Sequence, residues 1–260
     1  MEAILLDVDG VLHVSGEEVP GASDAIRRLR ESGRRIRLVT NNTTRPRSQL
    51  ALELRSLGFD VAEDDIETAP LAAARLLAGK RVLALTVTAI HSELEQRVEL
   101  VGGAADAVLV GGADESAETG RVFAYENLNR AFAELRAGAR LVALHKSAWW
   151  QTAHGPRLDS GAYVAGLEYA TGVKAEVVGK PTGAYFESAL AGLGADAEET
   201  VMVGDDVEAD VGGAKAAGLR AILVRTGKFR EEALEAAEPK PDAVVDSIAD
   251  VPGALDAARA

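Results

Sequence analysis

The sequence predicts an α/β fold: an open parallel sheet covered by helices, interrupted by a smaller inserted α/β segment. Short apolar runs recur along the chain, rich in Val, Ile and Leu and without polar alternation. That is the character of strands buried on both faces, as a parallel sheet requires. Helical patterns separate the runs, and a repeated strand-then-helix order is the order of an open α/β sheet. A series of such units from about Gly79 to about Lys174 stands apart and divides two flanking halves whose strand runs end in polar groups.

Taken in order, AILLDVD (3–9) is the first strand, and Pro20 to Ser32 forms the first helix, with Ile26 and Leu29 on one stripe and a Gly just past its end. RIRLVT (35–40) follows, then a helix from Pro46 to Leu57, again closed by Gly, and another from Pro70 to Leu77. RVLALTV (81–87), DAVLVGG (106–112) and ARLVALH (139–145) are the strands of the inserted segment, with a helix from Asn127 to Ala137. AEVVG (175–179), TVMVGDD (200–206), RAILVRT (220–226) and DAVVD (242–246) complete the strands. Helices at Gly183 to Leu193 and Ala209 to Ala217 lie among them, and Glu231 to Pro241 reads as a helix ending in a Pro-punctuated loop. The expected domains are 1–78 and 175–260 as one core, with 79–174 as an inserted cap.

Composition narrows the functional classes. A formal charge of −13 argues against nucleic acid or an anionic membrane as partner, because both reward a basic face. The chain has no cysteine, so disulfides and thiolate metal sites are excluded and any metal must sit on oxygen or imidazole. The opening residues carry no charged leader before an apolar run, and no run of eighteen apolar residues occurs, so neither a signal peptide nor a membrane span is expected and the cytoplasm is the default compartment.

Open α/β sheets bind ligands beyond the carboxyl ends of their strands, so the residues that end each apolar run are where chemistry is expected. AILL ends in Asp7-Val8-Asp9-Gly10, RIRLV in Thr40-Asn41-Asn42, AEVVG in Lys180-Pro181, and TVMVG in Asp205-Asp206, with Asp210 close behind. Side by side, these strands would bring the groups to one rim. Two carboxylates about 4 Å apart repel by roughly 4 kcal/mol at an effective dielectric near 20, so a positive charge must lie among them. Mg²⁺ suits oxygen ligands and leaves positions for water and phosphate, while Lys180 adds a fixed charge.

Period-two geometry would send Asp7 and Asp9 to the same side. Asp7 is then placed to attack phosphorus, and Asp9 to protonate the leaving oxygen and later take a proton from water. Gly10 lets the chain turn and offers backbone N–H groups to the phosphate. Thr40 and Asn41 would hold phosphate oxygens, and Lys180 would offset their charge. Asp7, Asp9 and Asp205 are expected to hold the metal, with Asn42, Asp206 and Asp210 behind them orienting waters or Lys180.

DVDGVL (7–12), LVTNN (38–42), VGKP (178–181) and VMVGDDVEAD (201–210) match, in order, the four motifs of the haloacid-dehalogenase (HAD) superfamily. The resemblance implies a Rossmann-like HAD core with an α/β cap, and the long insertion is similar to the cap of the NagD-like branch, which includes pyridoxal phosphatase and the p-nitrophenyl phosphatases. Within it, LHKSAWW, GLEYATG, KAEVVGKP, GDDVEADVGGA and RTGKFR resemble the phospholysine phosphohistidine inorganic pyrophosphate phosphatases. Those relatives carry Ser where Asp9 stands, whereas Asp9 matches the wider superfamily. The resemblance implies a Mg²⁺-dependent phosphatase with a small phosphorylated substrate chosen by the cap, and a homodimer through the cap.

Each motif also has a plainer reading. Asp9-Gly10 after a strand is a common turn, Thr40-Asn41-Asn42 a helix cap or Asx-turn, Lys180-Pro181 an ordinary loop, and Gly204-Asp205-Asp206 a solvated one. Their joint occurrence in order favours chemistry. Trp149 and Trp150 suit a substrate-facing position, a cap core or a dimer surface equally. The histidines at 13, 91, 145 and 154 lack ligand spacing, and His154 is a weak substrate candidate. A second functional class is a non-catalytic phospho-acceptor or ligand-binding module like a response-regulator receiver, with a similar acidic pocket. Receivers are half this length and lack both an inserted cap and an acid two residues past the acceptor. Dehalogenase and phosphomutase readings share the fold; the cap and Asp9 favour hydrolysis.

Overall fold

The computed structural model describes residues 2–152 and 154–257, and the chain forms two compact units. The first comprises the chain through Thr40, Arg47–Glu67, and Lys180 onward; the second comprises Asn41–Pro46 and Thr68–Gly179. Its seams at 67/68 and 179/180 differ from those read in the sequence, at 78/79 and 174/175.

The first unit is built on a six-stranded sheet in the order Ala243–Val245, Arg220–Val224, Thr200–Gly204, Ala3–Asp7, Arg35–Thr40, Ile66–Thr68. The central strand pairs in parallel with both neighbours, and the two strands beyond Thr200–Gly204 are parallel as well. All five residues of Ala3–Asp7 and of Thr200–Gly204 are buried, which is why their apolar runs show no alternation. Ile4, Leu6, Leu38, Val201, Val203 and Ile222 lie in one core with Ile26 and Leu29 of the helix Ala22–Glu31 and with Leu50 and Leu54 of Arg47–Ser56. Those helices bury residues three and four apart, as an amphipathic stripe does.

Register aligns the strand ends. Leu6 lies opposite Val203 and Leu38, and Asp7 opposite Val39. Asp7, Thr40 and Asp205 therefore leave the sheet at one edge, the carboxyl edge, as strands of common direction demand.

The second unit has its own five-stranded parallel sheet, in the order Glu176–Val177, Arg140–Ala143, Ala107–Val110, Arg81–Leu85, Glu99–Leu100. Its core includes Leu83, Val108, Leu141, Ala131, Leu135 and Val164, the last three from the helices Tyr125–Arg136 and Ser160–Thr171. An antiparallel hairpin, Trp149–Thr152 with Gly155–Leu158, precedes the latter helix.

The strand within AEVVG is a correction to the sequence reading, which set it beside TVMVG in the core. It pairs instead with Arg140–Ala143, Glu176 opposite Val142 and Val177 opposite Ala143. An apolar run marks a strand; it does not state which sheet takes it, and Glu176–Val177 lies at the edge of its sheet with Glu176 exposed. Among the described residues no helix is long and apolar enough to cross a membrane.

Candidate active site

Asp7 ends the central strand and is buried. Lys180 reaches it from the loop before the helix Gly183–Leu193, across a cis bond to Pro181. Its Nζ donates to Asp7 Oδ1 at 2.6 Å and to Asp210 Oδ1 at 2.7 Å. Asp205 directly follows Thr200–Gly204, and one oxygen from each of Asp7, Asp205 and Asp210 lies within 4.8 Å of the others. All three carboxylates are buried.

The turn after Asp205 is shaped by its own acids. Asp206 caps a π-helical turn, Val207–Gly212, by accepting from the Glu208 and Ala209 N–H groups, both at 3.0 Å. Asp210 sits inside that turn, where its Oδ2 accepts from the backbone N–H groups of Asp205 and Asp206 at 3.2 and 3.1 Å. Asp210 thus fixes the loop and faces Lys180 at once. Gly10 and Gly227 close over Asp205: a Cβ on Gly10, whose φ is +88°, would stand 1.9 Å from Asp205 Oδ2, and one on Gly227 2.0 Å from it. The Lys228 N–H donates to that same oxygen at 2.7 Å.

The electrostatics follow from burial. Desolvation pushes the Asp7 carboxyl well above its usual range; Lys180 pulls it back, and Asp210 and Asp205 push it further up. Burial works against the Lys180 charge, but Asp210 and Asp7 outweigh it and hold the ammonium form. Burial raises Asp205 to about 6, with the Lys228 N–H opposing and Asp210 adding to the rise. Three carboxylates thus face one ammonium. In addition, Asp205 Oδ1 is buried without a hydrogen-bond partner, which costs about 1–3 kcal/mol unless something binds it. A surplus of negative charge and an orphaned carboxylate oxygen are what a hard divalent cation requires, so these residues fit Mg²⁺.

The other residues singled out in the sequence are placed as follows. Asp9 stands outside the cluster: its side chain is 54% exposed, Thr40 Oγ1 donates to its Oδ2 at 3.3 Å, and His13 Nε2 is 3.8 Å from its Oδ1. Strand geometry ends at Asp7, so the same-side expectation for Asp7 and Asp9 does not extend that far. Asp210 takes the place in the carboxylate cluster that the sequence reading gave to Asp9. Thr40 is buried at the end of its strand, and Gly10 donates its N–H to the His13 carbonyl at 2.8 Å. Asn41 and Asn42 belong to the second unit, where Asn42 Oδ1 accepts from the Thr44 and Arg45 N–H groups as an Asx-turn. The sequence reading missed His13, the Lys228 N–H and Gly227; backbone groups carry no residue-type signal, and His13 has no ligand spacing.

Comparison with known proteins agrees with this geometry. A family model described as haloacid dehalogenase-like hydrolase matches residues 4–101, and a second, HAD-hydrolase-like, matches 177–251. The chain is 40% identical to phospholysine phosphohistidine inorganic pyrophosphate phosphatase from Xenopus laevis, over 96% of this chain and 92% of that one. NagD from E. coli K-12 shares its structure with a TM-score of 0.86 at 27% identity, covering 96% of this chain and 98% of that one. A glycerol phosphate phosphatase from Mycobacterium tuberculosis, in complex with magnesium, has a TM-score of 0.82 at 31% identity, covering 95% and 75%. With the four motif regions converging as described and relatives matched along nearly its whole length, the chain belongs to the haloacid dehalogenase-like hydrolases, in their NagD-like branch, and is a phosphatase.

Proposed function

We propose that the protein hydrolyses a small-molecule phosphate, whether phosphomonoester, pyrophosphate or phosphoramidate, in a magnesium-dependent reaction through an aspartyl-phosphate on Asp7. The observation that carries this reading is the buried set of Asp7, Asp205 and Asp210 around Lys180, with Asp205 Oδ1 lacking a partner. Asp7, Asp205 and Asp210 are the residues proposed to hold Mg²⁺. The ion, when bound, supplies positive charge to the phosphoryl oxygens and offsets repulsion between them and the carboxylates.

The chain's own groups then divide the work. An Asp7 oxygen forms a bond to phosphorus as the bond to the leaving oxygen or nitrogen breaks, and Asp9, exposed enough to meet substrate, donates the proton that the leaving group needs. A water then attacks the phosphorus of the acyl phosphate, giving its proton to Asp9, and the Asp7 carboxylate and inorganic phosphate are released. Lys180 stays charged throughout and keeps the Asp7 oxygen oriented. Thr40 and Asn41 are proposed to hold the non-transferred oxygens, with the Gly10 turn admitting the phosphate.

The test is Asp7→Asn. It removes the nucleophile and relieves repulsion in a crowded acidic pocket, so phosphate release should drop by at least about 10³-fold while the unfolding temperature stays level or rises. Wild-type turnover by that variant would reject Asp7 as nucleophile. The magnesium complex of the mycobacterial relative and the names of the phosphatase relatives support the same reading.

We further propose a homodimer formed through the second unit. The helices Tyr125–Arg136 and Ser160–Thr171 border an apolar groove of about 460 Å³ lined by Leu128, Phe132, Tyr163 and Leu167, with Tyr125 at its edge 76% exposed. A second copy of this face would cover that surface.

A further inference from the structure

Tyr185, in the first turn of the helix Gly183–Leu193, is fully buried. Its hydroxyl accepts from the Thr40 N–H at 2.8 Å and lies 3.0 Å from both the Thr40 and the Glu67 carbonyl oxygens. Those two residues are the last of the first unit before the chain crosses into the second, at 40/41 and again at 67/68. Tyr185 itself follows closely on the last crossing, the return to the first unit at 179/180. One side-chain oxygen therefore ties together the backbone at two crossings, from a helix that begins just after the last.

The hydroxyl has one proton and two carbonyls within reach, so it is shared between them or alternates. Phenylalanine would fill nearly the same volume, so apolar packing alone does not account for a hydroxyl here. Burial pushes the phenol upward, Lys180 opposes, and Glu67 adds to the rise, so the proton stays available for donation. Glu67 is itself anchored: Arg37 Nε donates to Glu67 Oε2 at 2.9 Å and Ser188 Oγ to Oε1 at 2.7 Å. The Thr40 main chain is thus held against a fixed frame, and Thr40 Oγ1 is the group that donates to Asp9.

We propose that the Tyr185 hydroxyl is a positioning group for phosphate hydrolysis: by holding the Thr40 backbone, it sets where the Thr40 hydroxyl stands against Asp9 and against the phosphoryl oxygen. The inference rests on the reading of Thr40 and Asp9 as parts of the phosphatase site. Tyr185 touches no substrate and acts only through Thr40. A displacement of the main chain by a fraction of an ångström at such a point is amplified in the reaction, because catalysis here depends on placement.

The experiment compares the full-length wild type, Tyr185→Phe, Thr40→Val, the double variant, and a protein with 3-fluorotyrosine incorporated at position 185, using p-nitrophenyl phosphate and Mg²⁺. Tyr185→Phe is expected to lower kcat by about tenfold with KM changed less, while 3-fluorotyrosine, which keeps the hydroxyl, restores turnover to within about twofold. The double variant should be no slower than Thr40→Val alone, since the phenol works only through Thr40. Wild-type kinetics in Tyr185→Phe, equal losses in the phenylalanine and fluorotyrosine proteins, or losses that multiply in the double variant would each overturn the inference. A wild type as inactive as Asp7→Asn would overturn the phosphatase reading and this inference together, whereas an active wild type matched by Tyr185→Phe would overturn this inference alone.

Discussion

Lys180 meets two carboxylates in a place where neither it nor they reach solvent freely. Removing the ammonium leaves the buried carboxylates charged and uncompensated, which typically costs about 3–5 kcal/mol. Lys180→Met should therefore unfold in urea with about that loss of stability, release no phosphate, and gain more stability from millimolar Mg²⁺ than the wild type does, since the ion would then be the only cation near Asp7 and Asp210. A loss below about 1 kcal/mol would contradict the burial of this pair. Asp7, Thr40, Lys180, Asp205 and Asp210 were legible in the sequence because each is a polar residue set at, or just past, the end of an apolar run. The turn of Asp9 toward Thr40 and His13 was not, because it depends on where extended geometry stops. Nor was the cradle of Gly10, Gly227 and the Lys228 N–H around Asp205, since it joins stretches far apart in sequence through backbone alone.

The hairpin of the second unit is closed at its base by side chains that flank it. His145 Nδ1 accepts from the Ser147 N–H at 3.3 Å, while its Nε2 lies 3.2 Å from Ser160 Oγ and 3.6 Å from Asp159 Oδ1. Hydroxyl and carboxylate share one ring nitrogen, which is not the relay of a serine hydrolase, where they occupy opposite nitrogens. Asp159 also caps Ser160–Thr171, its N–H donates to the Ala148 carbonyl at 2.9 Å, and the nearby Lys146 pairs with Glu168. Gly161 is required there, since a Cβ would come within 2.4 Å of the Ser147 oxygen.

Burial lowers the His145 pKa below 6.5, with Asp159 opposing. The folded chain thus favours the neutral ring, the unfolded chain takes up a proton first as pH falls, and stability contributed by this group declines below about pH 6.5. Trp149 and Trp150, the only tryptophans, report on the hairpin. Their fluorescence in urea should give a larger drop in midpoint between pH 7.5 and 5.5 for the wild type than for His145→Gln, and equal drops would refute the assignment. Neither the hairpin nor the helix Ser160–Thr171 was read from the sequence. The first lacks an Asn-Gly type turn, and the second contains two glycines and little periodicity.

For the whole molecule, the sequence conveyed the α/β class and the interruption of the core, while the sheet that takes Glu176–Val177 and the short edge strand Ile66–Thr68 emerged only from pairing. Net charge acts at this scale too. With −13 on each chain, two copies repel, so a dimer held by the Tyr125–Arg136 and Ser160–Thr171 face should tighten as salt screens that repulsion. Light scattering should give twice the 27.2 kDa chain mass, more completely at higher ionic strength, and Tyr125→Glu should give the single mass; a wild type of single mass at every salt concentration would reject the dimer. The pairing of Ala3–Asp7 with Thr200–Gly204 also bears on how the protein is made. The strand Ala3–Asp7 waits, without its neighbour on one side, until the chain has been synthesised through Thr200–Gly204. Thr68–Gly179 meanwhile contains the whole of the other sheet and can close while translation continues. Asp7 is therefore translated long before Asp205 and Asp210, and it acquires its working surroundings only once they have joined it.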